Sequence, residues 1–186
     1  WWPHHNWREM HFVLGVASGA PGADSVVLWT RLLGEGLSGS GPVTLRWELA
    51  QDEGFSRLVR RGQVQAHPEL AHSVHMEVAG LDPDRWYFYR FMLGDAVSPV
   101  GRTRTLPLPD AQVVRLRLAY ASCQRWEHGY FSAYRHMQQE DLDCVVFLGD
   151  YIYEYPGAAD LVREGPGDWP VDLEGYRRRY ALYKND

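Results

Sequence analysis

The residues best suited to chemistry sit just beyond the ends of two short apolar runs. The first run leads into Ala121-Ser122-Cys123-Gln124, and the second, Cys144-Val145-Val146-Phe147-Leu148, leads into Gly149-Asp150-Tyr151-Ile152-Tyr153. If the two runs are parallel strands joined by a helix, their carboxyl ends lie side by side, at the edge where open α/β sheets place ligands. A thiolate, a carboxylate and one or two phenols then meet on one rim, a donor set suited to a hard, highly charged cation such as ferric iron. Asp150 has two oxygens with which to bridge two metals. The soft sulfur of Cys123 favours a transition metal over magnesium at its position.

Each residue also has a plainer reading. A Gly-Asp step after a strand is as often a turn as a metal loop, and a lone cysteine is more often a small buried hydrophobe than a ligand. His128 stands beside Glu127 in a loop where it could touch substrate, but surface histidines are common in loops. His136 falls inside the predicted helix with no second ligand at a useful spacing. Asp24, His67, His72 and His75 belong to the first half of the chain and read as structural or exposed. Cys123 and Cys144 would lie at opposite ends of neighbouring strands, roughly 15 Å apart at about 3.3 Å per residue. A disulfide needs under about 7 Å between Cα atoms, so the cysteines say nothing of compartment.

Two kinds of element must position these residues. Val43, Leu45, Trp47 and Leu49 alternate with Thr44, Arg46 and Glu48, the period of a half-buried strand. Similar runs recur at Val26 to Leu32, Val74 to Val78 and Trp86 to Phe91, separated by turn signals at Gly34-Glu35-Gly36, Gly39-Ser40-Gly41, Gly80 with Pro83, and Gly94-Asp95. That spacing predicts a β-sandwich of immunoglobulin or fibronectin type III kind. Leu81-Asp82-Pro83-Asp84-Arg85-Trp86-Tyr87 resembles the corner at which a tyrosine hydroxyl bonds back to the main chain, with Tyr87 as that tyrosine. After the stiff connector Leu106-Pro107-Leu108-Pro109-Asp110 the pattern changes. A strand over Val113 to Ala121, a helix over Phe131 to Glu140 and a buried strand from Cys144 to Leu148 make one β-α-β unit. A glycine- and proline-bearing loop follows, then a helix from Asp172 with Tyr176, Tyr180 and Tyr183 along one side. The expected layout is an N-terminal arm at 1–11, the sandwich at 12–106, a linker at 107–112 and an incomplete α/β domain at 113–186.

Composition narrows the function classes. With 45% hydrophobic and 23% charged residues, the chain is neither disordered nor fibrous. A net charge of -5 with scattered arginines excludes the basic footprint of a nucleic-acid binder. The run Arg177-Arg178-Arg179 reads as a solvated helix face. No apolar stretch approaches the roughly 20 residues that span a bilayer. Trp1, Trp2 and Trp7 with His4 and His5 form an aromatic opening to which no chemistry is assigned.

In order along the chain, Phe12-Val13-Leu14-Gly15-Val16-Ala17-Ser18-Gly19, Val27-Leu28-Trp29-Thr30-Arg31-Leu32, Ala121-Ser122-Cys123-Gln124, Gly129-Tyr130-Phe131-Ser132-Ala133-Tyr134-Arg135-His136-Met137 and Leu148-Gly149-Asp150-Tyr151-Ile152-Tyr153-Glu154-Tyr155 resemble the alkaline phosphatase D family. The resemblance runs from Phe12 to about Tyr183. It implies a fibronectin-like domain ahead of a calcineurin-like metallophosphoesterase domain holding ferric iron and calcium, in an enzyme that hydrolyses phosphomonoesters or phosphodiesters. By motif, Cys123, Asp150 and Tyr153 match the iron ligands, and Asp150 also bridges to calcium and is the residue to which catalysis is assigned. The family further implies export to the periplasm or medium. Ser18-Gly19-Ala20-Pro21 departs from its usual Ser-Gly-Asp-Pro, in a sandwich turn away from these ligands. The family's Asp-Asp-His-Glu motif and its later histidine and aspartate ligands do not occur in these residues, so a downstream continuation or a second polypeptide is expected to supply the rest of the site. Two other functions remain open: a phospholipase D-like phosphodiesterase, and a non-catalytic fibronectin-like module that binds a wall or surface polymer.

Overall fold

The computed structural model describes residues 10–34, 37, 41–157, 159–165 and 167–186. The aromatic opening at 1–9 and the turn positions 35, 36 and 38–40 lie outside the described residues. The chain divides into two units, Trp1–Gln112 and Val113–Asp186.

The first unit contains β1 (Val16–Gly19), β2 (Ser25–Arg31), β3 (Val43–Ala50), β4 (Leu58–Ala66), β5 (Ser73–Ala79), β6 (Trp86–Leu93), β7 (Ala96–Val97) and β8 (Gly101–Arg104). One antiparallel sheet has the order β1-β2-β5, and the other has the order β4-β3-β6 with β7 and β8 both paired to the far side of β6. The alternation expected in β3 is present: Leu45 and Leu49 are buried while Thr44 and Arg46 are exposed. These leucines meet Val26, Leu28, Val78, Tyr87 and Phe91 in a single core. Each such burial stabilises the fold by about 1.5–3 kcal/mol relative to an exposed side chain. The corner at Tyr87 forms as expected, its phenol oxygen accepting the Asp82 N–H at 2.9 Å. Of the earlier histidines, His72 is buried with Nδ1 3.2 Å from the Ala66 carbonyl, and His75 lies edge-on to Trp29.

Strands β1, β4, β7 and β8 were not expected. In β4, Arg60, Arg61, Gln63 and Gln65 mask the few residues that reach the core, Val59, Val64 and Ala66, because the strand lies at the sheet edge and is largely exposed. In β8, Gly101 faces Tyr89 across the ladder, where a Cβ would run into the phenol ring. The glycine that reads as a breaker is instead what lets the strand pack.

The second unit contains β9 (Leu118–Ala121), α1 (Ser132–Met137), β10 (Cys144–Phe147) and α2 (Leu173–Lys184). Strands β9 and β10 are parallel, in register from Leu118 opposite Cys144 to Ala121 opposite Phe147, with α1 between them in sequence. The first strand was expected from Val113 but starts at Leu118. Among the described residues its partner is β10, which begins at Cys144, so the residues before Leu118 join no ladder there, and Asp143 Oδ2 accepts the Arg117 N–H at 2.8 Å instead. The helix expected from Phe131 to Glu140 is shorter, since its last residues close into tighter three-residue turns, Gln139 N–H to His136 and Glu140 N–H to Met137. The β10 residues read as buried but are all exposed. Helix α2 starts as expected at Asp172, whose Oδ1 accepts the Gly175 N–H at 2.7 Å. Its buried face differs from the expected tyrosine stripe: Gly175, Arg179 and Tyr183 point inward at a spacing of four, while Tyr176 is exposed. Arg179 is therefore not part of a solvated face. No helix among the described residues is long and apolar enough to cross a membrane.

Candidate metal centre

The parallel register carries Ala121 and Phe147 to the same edge, and the chain then turns sharply on both strands. Cys123 has φ 55° and Asp150 has φ 52°, left-handed values uncommon for residues other than glycine, and Gly149 between the strand and Asp150 has φ 133°. Backbone hydrogen bonds lock the turns together: Leu148 N–H donates to Ala121 O at 2.9 Å, Cys123 N–H to Gly149 O at 3.2 Å, and Gln124 N–H to Asp150 O at 3.2 Å. Backbone strain of this kind persists only where surrounding bonds over-determine it.

The three candidate ligands meet. Cys123 Sγ lies 3.6 Å from Asp150 Oδ2, and the Tyr153 hydroxyl donates to the same oxygen at 3.0 Å. Cys123 and Asp150 are exposed and Tyr153 is half-buried. Desolvation pushes the Tyr153 phenol above its ordinary value, and the hydrogen bonds and charges of Cys123 and Asp150 push it the same way. As placed, the phenol keeps its proton and donates.

Other candidates separate from this cluster. Tyr151 packs its ring against Phe147 at 5.0 Å and Tyr180 at 5.6 Å, and burial pushes its phenol up to about 12. Of the phenols after β10, Tyr153 is the one bonded to Asp150. His128 and His136 are both exposed. Among the described residues no three His, Cys, Asp or Glu side chains gather in a group able to hold a metal. The cluster thus consists of one thiol, one carboxylate and one phenol. Both cysteines are free and exposed, in keeping with their expected separation.

Two supporting residues escape a sequence reading. Gln124 is buried, donates through Nε2 to Tyr151 O at 2.7 Å and accepts the Tyr134 hydroxyl, so it ties α1 and the loop after β10 to the Cys123 turn. Arg125 stacks its guanidinium 4.0 Å above the Tyr153 ring and 4.6 Å from that of Tyr155, and donates to Tyr155 O at 2.9 Å. The only sequence signal for either is adjacency to Cys123.

Fitness for a metal can be judged from the donors. Two X–H groups, one sulfur and one phenol, approach a single carboxylate oxygen, and a cation that displaced their protons would find thiolate, carboxylate and phenolate already converged. The set fits ferric iron, with Asp150 Oδ1 engaged by neither donor.

One unit is a two-sheet sandwich, and the other holds a parallel strand pair whose carboxyl ends bring a thiol, a carboxylate and a phenol together. Comparison with known proteins makes the family plain. Residues 2–107 match the PhoD-like phosphatase N-terminal domain, and residues 118–186 match PhoD-like phosphatase; the chain belongs to the PhoD-like phosphatase family. It is 49% identical to alkaline phosphatase D of Bacillus subtilis (strain 168) over 190 aligned residues, which is 97% of this chain and 33% of that protein. A solved structure described as that of PhoD superposes with a TM-score of 0.91 at 49% identity, covering 98% of this chain and 37% of that one. The chain thus spans about a third of the length of the curated relative it matches.

Proposed function

We propose that this chain supplies part of the active site of a metal-dependent phosphoesterase, with Cys123, Asp150 and Tyr153 holding ferric iron and Asp150 shared with calcium. The observation that carries this reading is the meeting of Cys123 Sγ and the Tyr153 hydroxyl at Asp150 Oδ2, in a chain of the PhoD-like phosphatase family. When bound, the metal ions would supply Lewis-acid polarisation of phosphate oxygens and lower the pKa of a nucleophilic water. The substrate class is a phosphomonoester or phosphodiester, the second unit is the start of a calcineurin-like domain, and the enzyme works outside the cytoplasm.

The chain's own residues account for the placement. Gly149 and the left-handed Asp150 turn the main chain at the strand end so that its carboxylate meets the Cys123 turn. The cross-turn bonds from Cys123 N–H and Gln124 N–H fix the spacing between thiol and carboxylate. Arg125 covers one face of the Tyr153 ring and limits its rotation. The remaining metal ligands come from polypeptide beyond these residues, either a continuation or a second chain.

Elemental analysis of the full-length phosphatase tests the reading. Iron should be firmly held and calcium exchangeable, because thiolate and phenolate grip a ferric ion while oxygen-rich calcium sites exchange. A calcium-selective chelator should abolish hydrolysis of p-nitrophenyl phosphate or its diester reversibly, with iron retained. Zinc as the sole metal would overturn the assignment.

A further inference from the structure

Among the described residues between β10 and α2 no helix or strand carries Tyr153, so its main chain is oriented by bonds to other elements. Both main-chain polar groups of that residue are held by one helix. Arg179 Nη1 donates to Tyr153 O at 3.0 Å, and the Tyr183 hydroxyl oxygen accepts the Tyr153 N–H at 3.3 Å. Arg179 and Tyr183 are one helical turn apart on the buried face of α2, and each is only 4% exposed. The same Tyr183 oxygen accepts the Trp126 N–H at 3.2 Å, three residues beyond Cys123, so a single phenol joins the two turns that carry the thiol and the carboxylate. Arg179 Nη2 donates at 2.6 Å to Asp168 O, and the Tyr183 ring stacks on Phe131 with centroids 6.0 Å apart, which fixes both side chains in turn.

We infer that Arg179 and Tyr183 of α2 are positioning residues for the Tyr153 phenol, setting its approach to Asp150 and to the iron. Gripping the N–H and the C=O of one residue fixes the direction of its Cα–Cβ bond, and hence where the phenol oxygen falls. Supporting groups of this kind hold metal ligands within the narrow tolerance that coordination demands. The inference rests on Tyr153 serving as an iron ligand, and its test is built to separate the two.

The test uses full-length phosphatase loaded with iron and reads the visible phenolate-to-iron charge-transfer band, the iron affinity and the melting temperature. Tyr183→Phe removes one oxygen and keeps the ring that stacks on Phe131. It should shift the band maximum and weaken iron binding by about 10-fold, the lower end of the usual cost of losing such a support. Arg179→Lys, able to reach one carbonyl, should shift the band less than Arg179→Ala. Should the alanine variant fail to fold, Tyr183→Phe and Arg179→Lys decide the matter. A purely structural role would lower the melting temperature while leaving the band position and the iron affinity of folded molecules unchanged, and that result overturns the inference. Tyr153→Phe supplies the control. If it bleaches the band while Tyr183→Phe leaves it in place, the ligand reading stands and the positioning role falls; if the band is absent from the parent or survives in Tyr153→Phe, both fall.

Discussion

Cys123 combines a reactive atom with a conformation that costs energy. A non-glycine residue at φ 55° is destabilised by about 1 kcal/mol or more relative to glycine in the same turn. That strain allows ligand and packing roles to be told apart by substitution. Cys123→Gly should leave the melting temperature of the metal-free completed enzyme unchanged or slightly raised, because the turn relaxes, and should nonetheless lose iron when the enzyme is loaded. Cys123→Ser should also lower iron retention, since a hydroxyl of similar size replaces a thiolate. If Cys123 only packs, the glycine variant keeps its full iron content and turnover, and elemental analysis alongside calorimetry would detect it. Asp150 is a different case, because aspartate tolerates the left-handed region better than most residues. Asp150→Asn should therefore fold, keep its turn and lose activity together with calcium.

Among the elements, β6 shows how burial becomes a pH dependence. Tyr89 is 2% exposed, and desolvation pushes its phenol up to about 12 although a hydrogen bond with Ser18 lowers it. The unfolded chain releases that proton near pH 10, so between about pH 10 and 12 the folded form binds more protons and stability falls as pH rises. The slope should approach 1.4 kcal/mol per pH unit at its steepest. Denaturant melts of the sandwich between pH 9 and about 12 should show it, and Tyr89→Phe should flatten it; an unchanged slope in that variant would place the alkaline sensitivity elsewhere. The alternation in β3 and the aromatic run in β6 were legible in the sequence because each strand buries one face, and the Tyr87 corner was legible because its local motif is nearly sufficient. Strand β4 was not, because an edge strand sets only a few inward residues, here Val59, Val64 and Ala66, among exposed polar ones, and β8 was hidden by a glycine whose use depends on Tyr89 opposite it. At the site, a thiol, a carboxylate and one or two phenols at the strand ends were legible from type and order, and the family resemblance singled out Tyr153 among the phenols. Arg179 and Tyr183 were not, because an arginine inside Arg177-Arg178-Arg179 reads as solvated until its carbonyl partners, set by the loop's path, are known.

For the molecule as a whole, the least settled surface is the parallel pair that carries the candidate site. Successive residues of a strand point to opposite faces, yet Val145, Val146 and Phe147 are all at least 40% exposed, and Leu118 and Tyr120 of β9 are exposed beside them. Parallel strands of this apolar character are ordinarily covered on both faces. The sandwich, by contrast, encloses its core within one unit. We predict that these residues expressed by themselves bind a dye that fluoresces on exposed apolar surface, or associate, and melt in two steps. The sandwich should account for the more stable step. Adding the polypeptide that covers β9 and β10 should abolish dye binding and raise the lower transition, because burial of those side chains adds about 25 cal/mol per Å² of apolar surface removed from water. Charged substitutions at Val146 and Leu118 separate this cause from general instability: they should cut dye binding in the isolated chain and weaken its joining to the covering polypeptide. A monomeric chain that binds no dye and unfolds in one cooperative step would show that the strand pair needs no cover.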